Sequence, residues 1–313
     1  MVNLTITIPT YNRPEHIRRQ VKDVLAQMRP GVKLVVYDNC SDIPVESLFS
    51  AEEKTHFTIY RNAVNIGGGA NLGRCFDQNT SDWIWILSDD DVISTDSLDI
   101  IVKTIEENPD CCYINFQNKK TQVITSFQEY LHYNKIIGAF GISFFQSVCI
   151  LNMSKLNGYI RYYYDFLSTW VGQIMMVLKY MEKEANPKCL FTTQPIITDV
   201  NEGGWDHLEI IVTTSLIRDR FNYLKNMMRS TLFKALVDMD LTLISQSKES
   251  FRERFSYFIF VIRRFGFVNV VRYSFTTLSS LILSVFLPPK LYKLIRRKAA
   301  SKYNANTRGD THR

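Results

Sequence analysis

The sequence predicts an α/β protein in which a parallel β-sheet is covered by helices on both faces. Strand-like and helix-like segments alternate over residues 1–115, and polar clusters directly follow several of the strand-like segments. Parallel strands need crossover connections, which are usually helices that pack on the sheet. Because ligands of open α/β sheets bind at the carboxyl ends of the strands, the polar clusters also predict a ligand site at one edge of the sheet.

Each element of this region has its own signature. Runs of β-branched, apolar and aromatic residues predict strands at residues 2–8, 33–37, 57–61, 83–87 and 111–116. Helices are predicted at residues 15–28, 67–78 and 95–107, and Pro14 suits the first turn of the first helix.

The pattern is weaker after residue 116. We expect a strand at residues 144–151, a helix at residues 166–181 with Asp165 beside its start, and a strand at residues 189–198. A glycine-containing loop at residues 201–207 and a long helical stretch from about residue 208 to residue 245 follow. The C-terminal region is therefore predicted to be mostly helical.

The charge of the chain is unevenly divided. The 313 residues contain 37 Lys and Arg against 31 Asp and Glu, a net charge of +6. Residues 252–313 hold 13 basic and two acidic side chains, a net +11, whereas the other 251 residues carry 24 basic and 29 acidic ones, a net −5. An acidic body does not neutralise phosphates along a nucleic acid, so no nucleic-acid partner is expected. Six scattered cysteines without a CxxC pair argue against a disulfide framework or a zinc site and fit a reducing cytosol.

The strongest motif is the acidic run Ser88-Asp89-Asp90-Asp91, which follows a buried strand. Three adjacent carboxylates repel one another and need a neutralising partner. A divalent cation held together with a diphosphate provides one, because hard Mg²⁺ or Mn²⁺ prefers oxygen ligands. The alternative is a solvated helix N-cap, although capping requires a single acid and Ser94 or Thr95 is better placed for it.

Two weaker motifs follow neighbouring strands. Glycines cluster within residues 65–74 ahead of a predicted helix, where the backbone can approach an anion and Arg74 can contact a phosphate; a plain turn is the alternative. Asp38 and Asn39 follow the second strand, where an acid can accept a hydrogen bond from a ribose hydroxyl or a base NH; an Asx-turn is the alternative.

Taken in order, these motifs resemble the inverting family 2 glycosyltransferases of the GT-A fold. The resemblance rests on residues 8–13 (Ile-Pro-Thr-Tyr-Asn-Arg), 38–39, 65–74 and 87–91, and it covers roughly residues 1–115. It implies a Rossmann-like GT-A nucleotide-diphospho-sugar transferase fold. It also implies an enzyme with a nucleotide-sugar donor, usually a UDP-sugar, and a divalent cofactor, Mn²⁺ or Mg²⁺, at the acidic run.

The resemblance further implies roles for individual residues. Asp38 would contact the base, Asp89 would contact the ribose or the metal, and Asp91 would ligate the metal that bridges the diphosphate. The implied nucleotide-sugar site consists of Pro9, Thr10, Tyr11, Arg13, Asp38, Asn39, Asn65, Gly67, Asn71, Arg74, Asp89 and Asp90.

The sequence departs from the family pattern at two positions. Ser88 stands where many members have an aspartate, which leaves Asp89, Asp90 and Asp91 as candidate metal ligands. The arginine that usually precedes the asparagine of the Gly-rich stretch is absent, and Arg74 is the candidate replacement.

Inverting transfer needs a general base that takes the proton of the acceptor hydroxyl. In this family the base is a carboxylate of the second half, and Asp165 is our candidate, with Glu202 and Asp206 as alternatives. Asp165 can instead serve only as the cap of the helix at residues 166–181. His207 is a candidate additional metal ligand, although a lone histidine is more often structural or exposed.

Residues 251–313 mix aromatic and aliphatic residues with basic ones. The apolar segment 275–287 has 13 residues, a helix of only about 20 Å, which is shorter than the roughly 30 Å hydrocarbon core. Extending it backward would place Arg263, Arg264 and Arg272 in the bilayer, at about 2.5–3.5 kcal/mol each near its centre. We therefore expect a basic tail that lies in the plane of an anionic membrane surface. Core helices of a second domain and the interface of a homo-oligomer are alternative explanations.

These observations predict a catalytic domain at residues 1–207, a helical region at residues 208–250 and a membrane-association tail at residues 251–313. The catalytic domain would comprise a nucleotide-sugar-binding half (1–115) and an acceptor-binding half (116–207). Family analogy suggests a polyprenyl-linked saccharide as acceptor, in bacterial surface polysaccharide assembly at the cytoplasmic face of the inner membrane, where the enzyme is peripheral or monotopic. The alternatives are a sugar nucleotidyltransferase and a non-catalytic, membrane-bound scaffold that binds a nucleotide or sugar.

Overall fold

The computed structural model describes residues 1–137, 145–167, 172–199, 251–268 and 270–271. The described residues up to 199 belong to one compact unit, and those from 251 onward belong to a second. Within these ranges, no helix combines the length and the apolar character that crossing a bilayer requires. The predicted loop at residues 201–207 and the predicted helical stretch at residues 208–245 lie outside the described residues.

The described part of the first unit contains a large sheet and a small one. The strands of the large sheet are β1 (Leu4–Thr10), β2 (Val32–Asp38), β3 (Thr58–Arg61), β4 (Trp83–Ile86), β6 (Tyr113–Asn115), β7 (Gln122–Ile124), β8 (Cys149–Asn152) and β9 (Cys189–Phe191). The strands of the small sheet are β5 (Val92–Ile93) and β10 (Ile197–Asp199). In the large sheet the strand order is β3-β2-β1-β4-β8-β6-β9-β7.

The helices of the described residues fall between and beside these strands. In the first unit they are α1 (Pro14–Leu25), α2 (Gly68–Asp77), α3 (Ser97–Glu107), α4 (Phe127–Ile137), α5 (Met153–Leu156), α6 (Ile160–Tyr164) and α7 (Gly172–Lys183). In the second unit, α8 spans Phe251–Phe265. Pro14 is at the start of α1, as predicted.

The first half of the large sheet is parallel, and this confirms the α/β fold class. Strand β1 pairs in parallel with β2 on one side and β4 on the other, and β2 pairs in parallel with β3. All four residues of β4 are buried, as expected for a central strand that is covered on both faces. The carboxyl ends of these strands meet at one edge of the sheet, which brings their loops together.

The second half of the sheet is mixed, and the sequence pattern indicated no strand direction there. Strand β8 is antiparallel to both β4 and β6, and β7 is antiparallel to β9. The described strands of this half have only three or four residues each. Strands so short carry too little of the alternating or continuous apolar pattern to indicate their direction in the sequence.

Several predicted boundaries shift. Strand β1 continues through Pro9 to Thr10, beyond the predicted end at residue 8. Proline has no N–H to donate to a neighbouring strand, but β4 pairs with β1 only as far as Thr7. Pro9 therefore costs the sheet no hydrogen bond to β4. A 3₁₀ turn occupies Gln146–Val148, where a strand was expected. The single strand predicted at residues 189–198 is wrong: it is divided into β9 and β10, which belong to different sheets.

The described part of the second unit is an amphipathic helix, followed by helical residues after Gly266. Val261 and Phe265 are buried, whereas Arg252 and Glu253 are exposed. Helix α8 ends before Gly266, which has a φ of +83°, a conformation that glycine adopts without strain.

Candidate functional site

The acidic run lies in the tight connection between β4 and β5, at the carboxyl edge of the parallel half of the sheet. Asp89, Asp90 and Asp91 are only 4%, 6% and 2% exposed. Carboxylates at this depth are costly unless hydrogen bonds or opposite charges stabilise them. Their partners therefore determine the chemistry of the site.

Two of the three carboxylates are held by the last residue of β1 and by the loop that follows it. The Arg13 Nη1 donates to Asp89 Oδ1 at 2.9 Å and to Asp90 Oδ2 at 2.8 Å. The Thr10 hydroxyl donates to Asp89 Oδ2 at 2.6 Å. The structure thus brings together two of the polar motifs that the sequence indicated, at residues 8–13 and 87–91. A single guanidinium offsets only part of the charge of the three acids.

Asp91 is the least satisfied of the three acids. Its Oδ2 is buried and has no hydrogen-bond partner. Burial raises the pKa of Asp91 to about 6, against the opposing hydrogen bond from Ser147 and with a further increase from Asp90 and Asp89. Arg19 approaches from α1, but it donates to the backbone carbonyls of Asp90 and Asp91, at 2.9 and 3.2 Å, rather than to a carboxylate.

This arrangement fits a divalent cation that a bound diphosphate helps to hold. No three His, Cys, Asp or Glu side chains in the described ranges gather into a ready metal site. Mg²⁺ is, however, usually held by one or two carboxylates together with substrate phosphates, rather than by a cage of protein ligands alone. The unpartnered Asp91 Oδ2 is an oxygen donor of the required kind.

A cavity of about 180 Å³ lies between the loops that follow β1 and β2, and Arg13 is one of its lining residues. Its polar lining includes Asn12, Arg13, Ser41 and Asp42. The Asn12 side chain joins the two loops, because it accepts from the Asp42 N–H at 2.7 Å and donates to the Asp42 carboxylate at 3.1 Å. Asn12 has a φ of +53°, a conformation that asparagine tolerates better than most residues. Arg13 therefore borders both the cavity and the carboxylates.

Asp38 stabilises the wall of this cavity. It is completely buried, and its carboxylate accepts from the backbone N–H groups of Ser41, at 2.8 Å, and Val45, at 3.3 Å. Arg61 forms an ion pair with the same carboxylate. These bonds shape the loop after β2, and contact between Asp38 and a base stays a prediction. Arg61 was missed by the sequence reasoning, although it stands at the end of a predicted strand.

A cluster of four asparagines lies next to this loop. The Asn39 Oδ1 accepts from Asn62 Nδ2 at 2.9 Å, and its Nδ2 donates to Asn65 Oδ1 at 2.8 Å. Asn62 also donates to Asn71 Oδ1 at 2.8 Å and accepts from Arg74 Nη1 at 2.5 Å. Four of the predicted site residues thus belong to one network, and Asn62 is the member that the sequence reasoning missed. Its position directly after β3 was the available signal.

The glycines of α2 allow another part of the chain to approach. A Cβ on Gly69 would lie 2.4 Å from the Leu167 carbonyl oxygen, and one on Gly73 would lie 3.0 Å from the Tyr164 hydroxyl. The Tyr163 hydroxyl donates to the Gly69 carbonyl at 2.7 Å. These contacts pack α6 and the residues after it against α2. The close approach that the glycines permit is therefore to the protein itself.

The remaining predicted residues are placed as follows. Asp165 is exposed and directly follows α6, so it caps the end of that helix, and residues 168–171, which precede α7, are not described. Tyr11 is 42% exposed in the loop after β1, Pro9 lies within β1, and Gly67 precedes α2 with a φ of +84°. Glu202, Asp206 and His207 lie outside the described residues.

Comparisons of the sequence identify relatives. A model of the family described as glycosyl transferase family 2 matches residues 5–165, about half of the chain. An uncharacterized glycosyltransferase of Haemophilus influenzae is 25% identical over 126 residues, which are 40% of this chain and 42% of that protein. Abequosyltransferase RfbV of Salmonella typhimurium is 27% identical over 112 residues, 34% of either chain. The chain spans less than half the length of these two relatives.

Comparisons of the structure identify a shared fold. The crystal structure of S. aureus TarS 1-349 superposes with a TM-score of 0.58 at 12% identity, covering 100% of this chain and 93% of that one. The same TarS fragment in complex with UDP-GlcNAc gives a TM-score of 0.57 at 12% identity, covering 90% of this chain and 87% of that one. Identities this low carry information about the fold alone, and the GT-A fold expected from the sequence is confirmed.

Proposed function

The chain belongs to glycosyl transferase family 2, and from that premise we propose that it is an inverting enzyme that transfers a sugar from a UDP-sugar to a hydroxyl of a saccharide acceptor. One observation carries the proposal: a buried acidic run with one unpartnered carboxylate oxygen stands beside a cavity that shares Arg13 with it. The TarS complexes with UDP-GlcNAc and with UDP support UDP as the nucleotide to be tested first.

The donor would bind across the carboxyl ends of β1, β2 and β4. The nucleoside would enter the cavity between the loops after β1 and β2, and the diphosphate would extend toward the acidic run. Asp91 would hold Mn²⁺ or Mg²⁺ jointly with the diphosphate, and the cation would stabilise the charge that develops on the leaving group. Arg13 would contact the same diphosphate, because it lines the cavity and its side chain is 40% exposed.

The acceptor is activated by a carboxylate that takes its hydroxyl proton. The acceptor oxygen then forms a bond to the sugar C1 on the face opposite the nucleotide, while the bond from C1 to the diphosphate oxygen breaks and its electron pair leaves with the nucleotide. Asp165 is our candidate for this base, because it is exposed to a diffusing acceptor and the packing of α6 on α2 holds it near the Gly-rich stretch. Glu202 and Asp206 remain the alternatives.

We further propose a polyprenyl-linked saccharide as the acceptor, in surface polysaccharide assembly at the cytoplasmic face of the bacterial inner membrane. The net charge of +11 over residues 252–313 supports attachment to an anionic surface. Phe267 and Val268, which are 61% and 74% exposed after α8, are apolar side chains suited to insert there. Sedimentation with anionic vesicles tests this: a chain truncated after residue 250 that still bound them would contradict the proposal.

The decisive experiment combines donor binding with transfer. Calorimetric titration of UDP is carried out with and without Mn²⁺ on the natural chain and on Asp91→Ala, and a panel of UDP-sugars is assayed for transfer to a lipid-linked saccharide. We expect Mn²⁺ to strengthen UDP binding to the natural chain and to have no such effect on Asp91→Ala. Equal effects of Mn²⁺ on both proteins would refute the role of Asp91.

The general base requires its own variant. Asp165→Asn should bind UDP and Mn²⁺ normally and lose about two orders of magnitude or more in turnover. Normal turnover would move the base to Glu202 or Asp206. Binding of UDP-sugars with no transfer or hydrolysis of any of them would instead favour a non-catalytic scaffold, and release of inorganic diphosphate from a sugar phosphate and UTP would favour a nucleotidyltransferase.

A further inference from the structure

Arg13 stands between the acidic run and the cavity, and it contacts both. One nitrogen, Nη1, bridges Asp89 Oδ1 and Asp90 Oδ2 at 2.9 and 2.8 Å. The side chain is 40% exposed, whereas the side chains of the two acids are 5% and 8% exposed. Arg13 is thus held against the two carboxylates through Nη1, and it is also one of the residues that line the cavity.

The bridge occupies the oxygens that a metal ion would use. Thr10 donates to the second oxygen of Asp89, at 2.6 Å, and the Ser88 hydroxyl contacts the second oxygen of Asp90, at 2.5 Å. Every oxygen of these two carboxylates therefore has a partner, and Arg13 supplies the positive charge. In contrast, Asp91 Oδ2 has no partner. The run therefore offers a cation one buried, unpartnered oxygen, and Arg13 is a competing positive charge.

We propose that Arg13 is a resident counter-ion that the donor's diphosphate draws away from Asp89 and Asp90, so that nucleotide and divalent cation bind cooperatively. The inference rests on the proposed function, because it assigns a regulatory role to a residue of the same donor site. Arginine binds phosphate through two parallel hydrogen bonds, and a diphosphate in the cavity offers the exposed side of Arg13 more negative charge than one carboxylate does. The two buried acids then need a replacement cation, which Asp91 helps to hold.

The consequence is a thermodynamic coupling with a defined sign. Without nucleotide, a divalent cation competes with Arg13 for Asp89 and Asp90 and binds weakly. With nucleotide, Arg13 is engaged by phosphate and the same cation binds more tightly. Because coupling is reciprocal, the cation must strengthen nucleotide binding by the same factor. Removal of Arg13 should therefore affect the two ligands in opposite directions, which a merely structural arginine would not do.

The experiment measures three affinities by calorimetry on the full chain: Mn²⁺ alone, UDP alone, and Mn²⁺ in the presence of saturating UDP. Arg13→Met removes the charge and roughly keeps the length of the side chain. We expect this variant to bind Mn²⁺ alone about fivefold more tightly and to bind UDP alone more weakly than the natural chain. It should also lose most of the coupling between the two ligands, whose factor is typically fivefold or more. Arg29→Met is the matched control, because Arg29 forms an exposed ion pair with Asp99 away from the run, and it should behave as the natural chain does.

Arg13→Lys keeps the proposal testable if Arg13→Met unfolds, which thermal denaturation would reveal. Lysine retains the charge but has no rigid fork, so we expect a coupling factor below that of the natural chain and UDP binding weaker than natural. A natural coupling factor in Arg13→Lys would overturn the proposal if Arg13→Met does not fold. Weaker binding of both ligands to Arg13→Met, with unchanged coupling, would also overturn it and leave Arg13 a structural residue.

The test separates this inference from the proposed function. If the natural chain binds UDP but binds no Mn²⁺ with or without it, the inference and the metal requirement both fail, while nucleotide binding stands. If Mn²⁺ strengthens UDP binding and Arg13→Met retains the full effect, the inference alone fails.

Discussion

Two polar clusters occupy the same edge of the sheet, and they differ in how completely their hydrogen bonds are satisfied. The asparagine cluster, Asn39, Asn62, Asn65 and Asn71, is neutral, and its members donate to and accept from one another. The acidic run carries three buried carboxylates for one bridging guanidinium and leaves one carboxylate oxygen without a partner.

This difference distinguishes structural support from ligand binding. Neutral side chains that hydrogen-bond one another stabilise the fold without an unbalanced charge that a ligand could neutralise. Buried carboxylates that are not fully neutralised destabilise the folded protein, and such clusters are typical of functional sites, where a ligand neutralises them. We therefore infer that the asparagine cluster holds the loops after β2 and β3 in position, whereas the acidic run is the part of the edge that reacts to a bound ligand.

The largest effect is expected from a substitution in the acidic run. Asp91→Asn should lower transfer by about two orders of magnitude or more, because the carboxylate that would hold the cation is gone. It should also raise the free energy of unfolding at pH 7, measured in EDTA, by about 1–3 kcal/mol, since burial raises the pKa of Asp91 to about 6 and the charged form is therefore disfavoured in the folded state.

Asp99→Asn is the control for this prediction. Asp99 is an exposed partner of Arg29, and its replacement should change stability by less than about 0.5 kcal/mol. Loss of stability in Asp91→Asn, with transfer retained, would mean that Asp91 is a structural residue and that the comparison assigns it wrongly.

The sequence predicted the parallel half of the fold well, because its strands are long or continuously apolar and end in polar motifs. The run after β4 could be assigned to a ligand site because three adjacent acids have few structural explanations. The sequence does not reveal that Arg13 would bridge two of those acids, since the contact joins residues that are more than 70 positions apart.

The glycines show a different limit of the sequence. A Gly-rich stretch before a helix is compatible both with an approaching anion and with an approaching chain segment. Only the position of Leu167 beside Gly69 distinguishes the two, and that position depends on the packing of α6 against α2. The single strand predicted at residues 189–198 was wrong for a related reason, because the pairing of its two halves depends on neighbours that are distant in sequence.

A smaller effect is expected from a substitution in the asparagine cluster. Asn71 is 2% exposed, donates to the Tyr37 carbonyl at 3.0 Å and accepts from Asn62. Asn71→Ala removes both of these buried hydrogen bonds, so we expect the free energy of unfolding to fall by about 2–3 kcal/mol. The UDP affinity of the folded protein should change less than about threefold, or about 0.65 kcal/mol.

Asn3→Ala provides the comparison for this variant, because the Asn3 side chain donates a long, exposed hydrogen bond to Asp82 Oδ2, at 3.4 Å. It should be nearly neutral. If Asn71→Ala were as stable as Asn3→Ala and yet failed to bind UDP, the asparagine cluster would belong to the donor site, and the distinction between the two clusters would fail.

The smallest effect concerns the helix that carries Asn71. A Cβ on Gly69 would lie 2.4 Å from the Leu167 carbonyl oxygen, so Gly69→Ala must push the segment after α6 away from α2. We expect a loss of about 1–3 kcal/mol in the free energy of unfolding. If the displaced segment carries the base, transfer should fall more than the affinity for UDP with Mn²⁺, and both are measured on the same preparation.

Gly158→Ala is the control, because nothing lies within 4 Å of its Cβ position. An equal fall in UDP affinity and transfer would mean that the glycines belong to the donor site, as the sequence predicted. A fall in transfer alone would mean that they support the segment that carries Asp165.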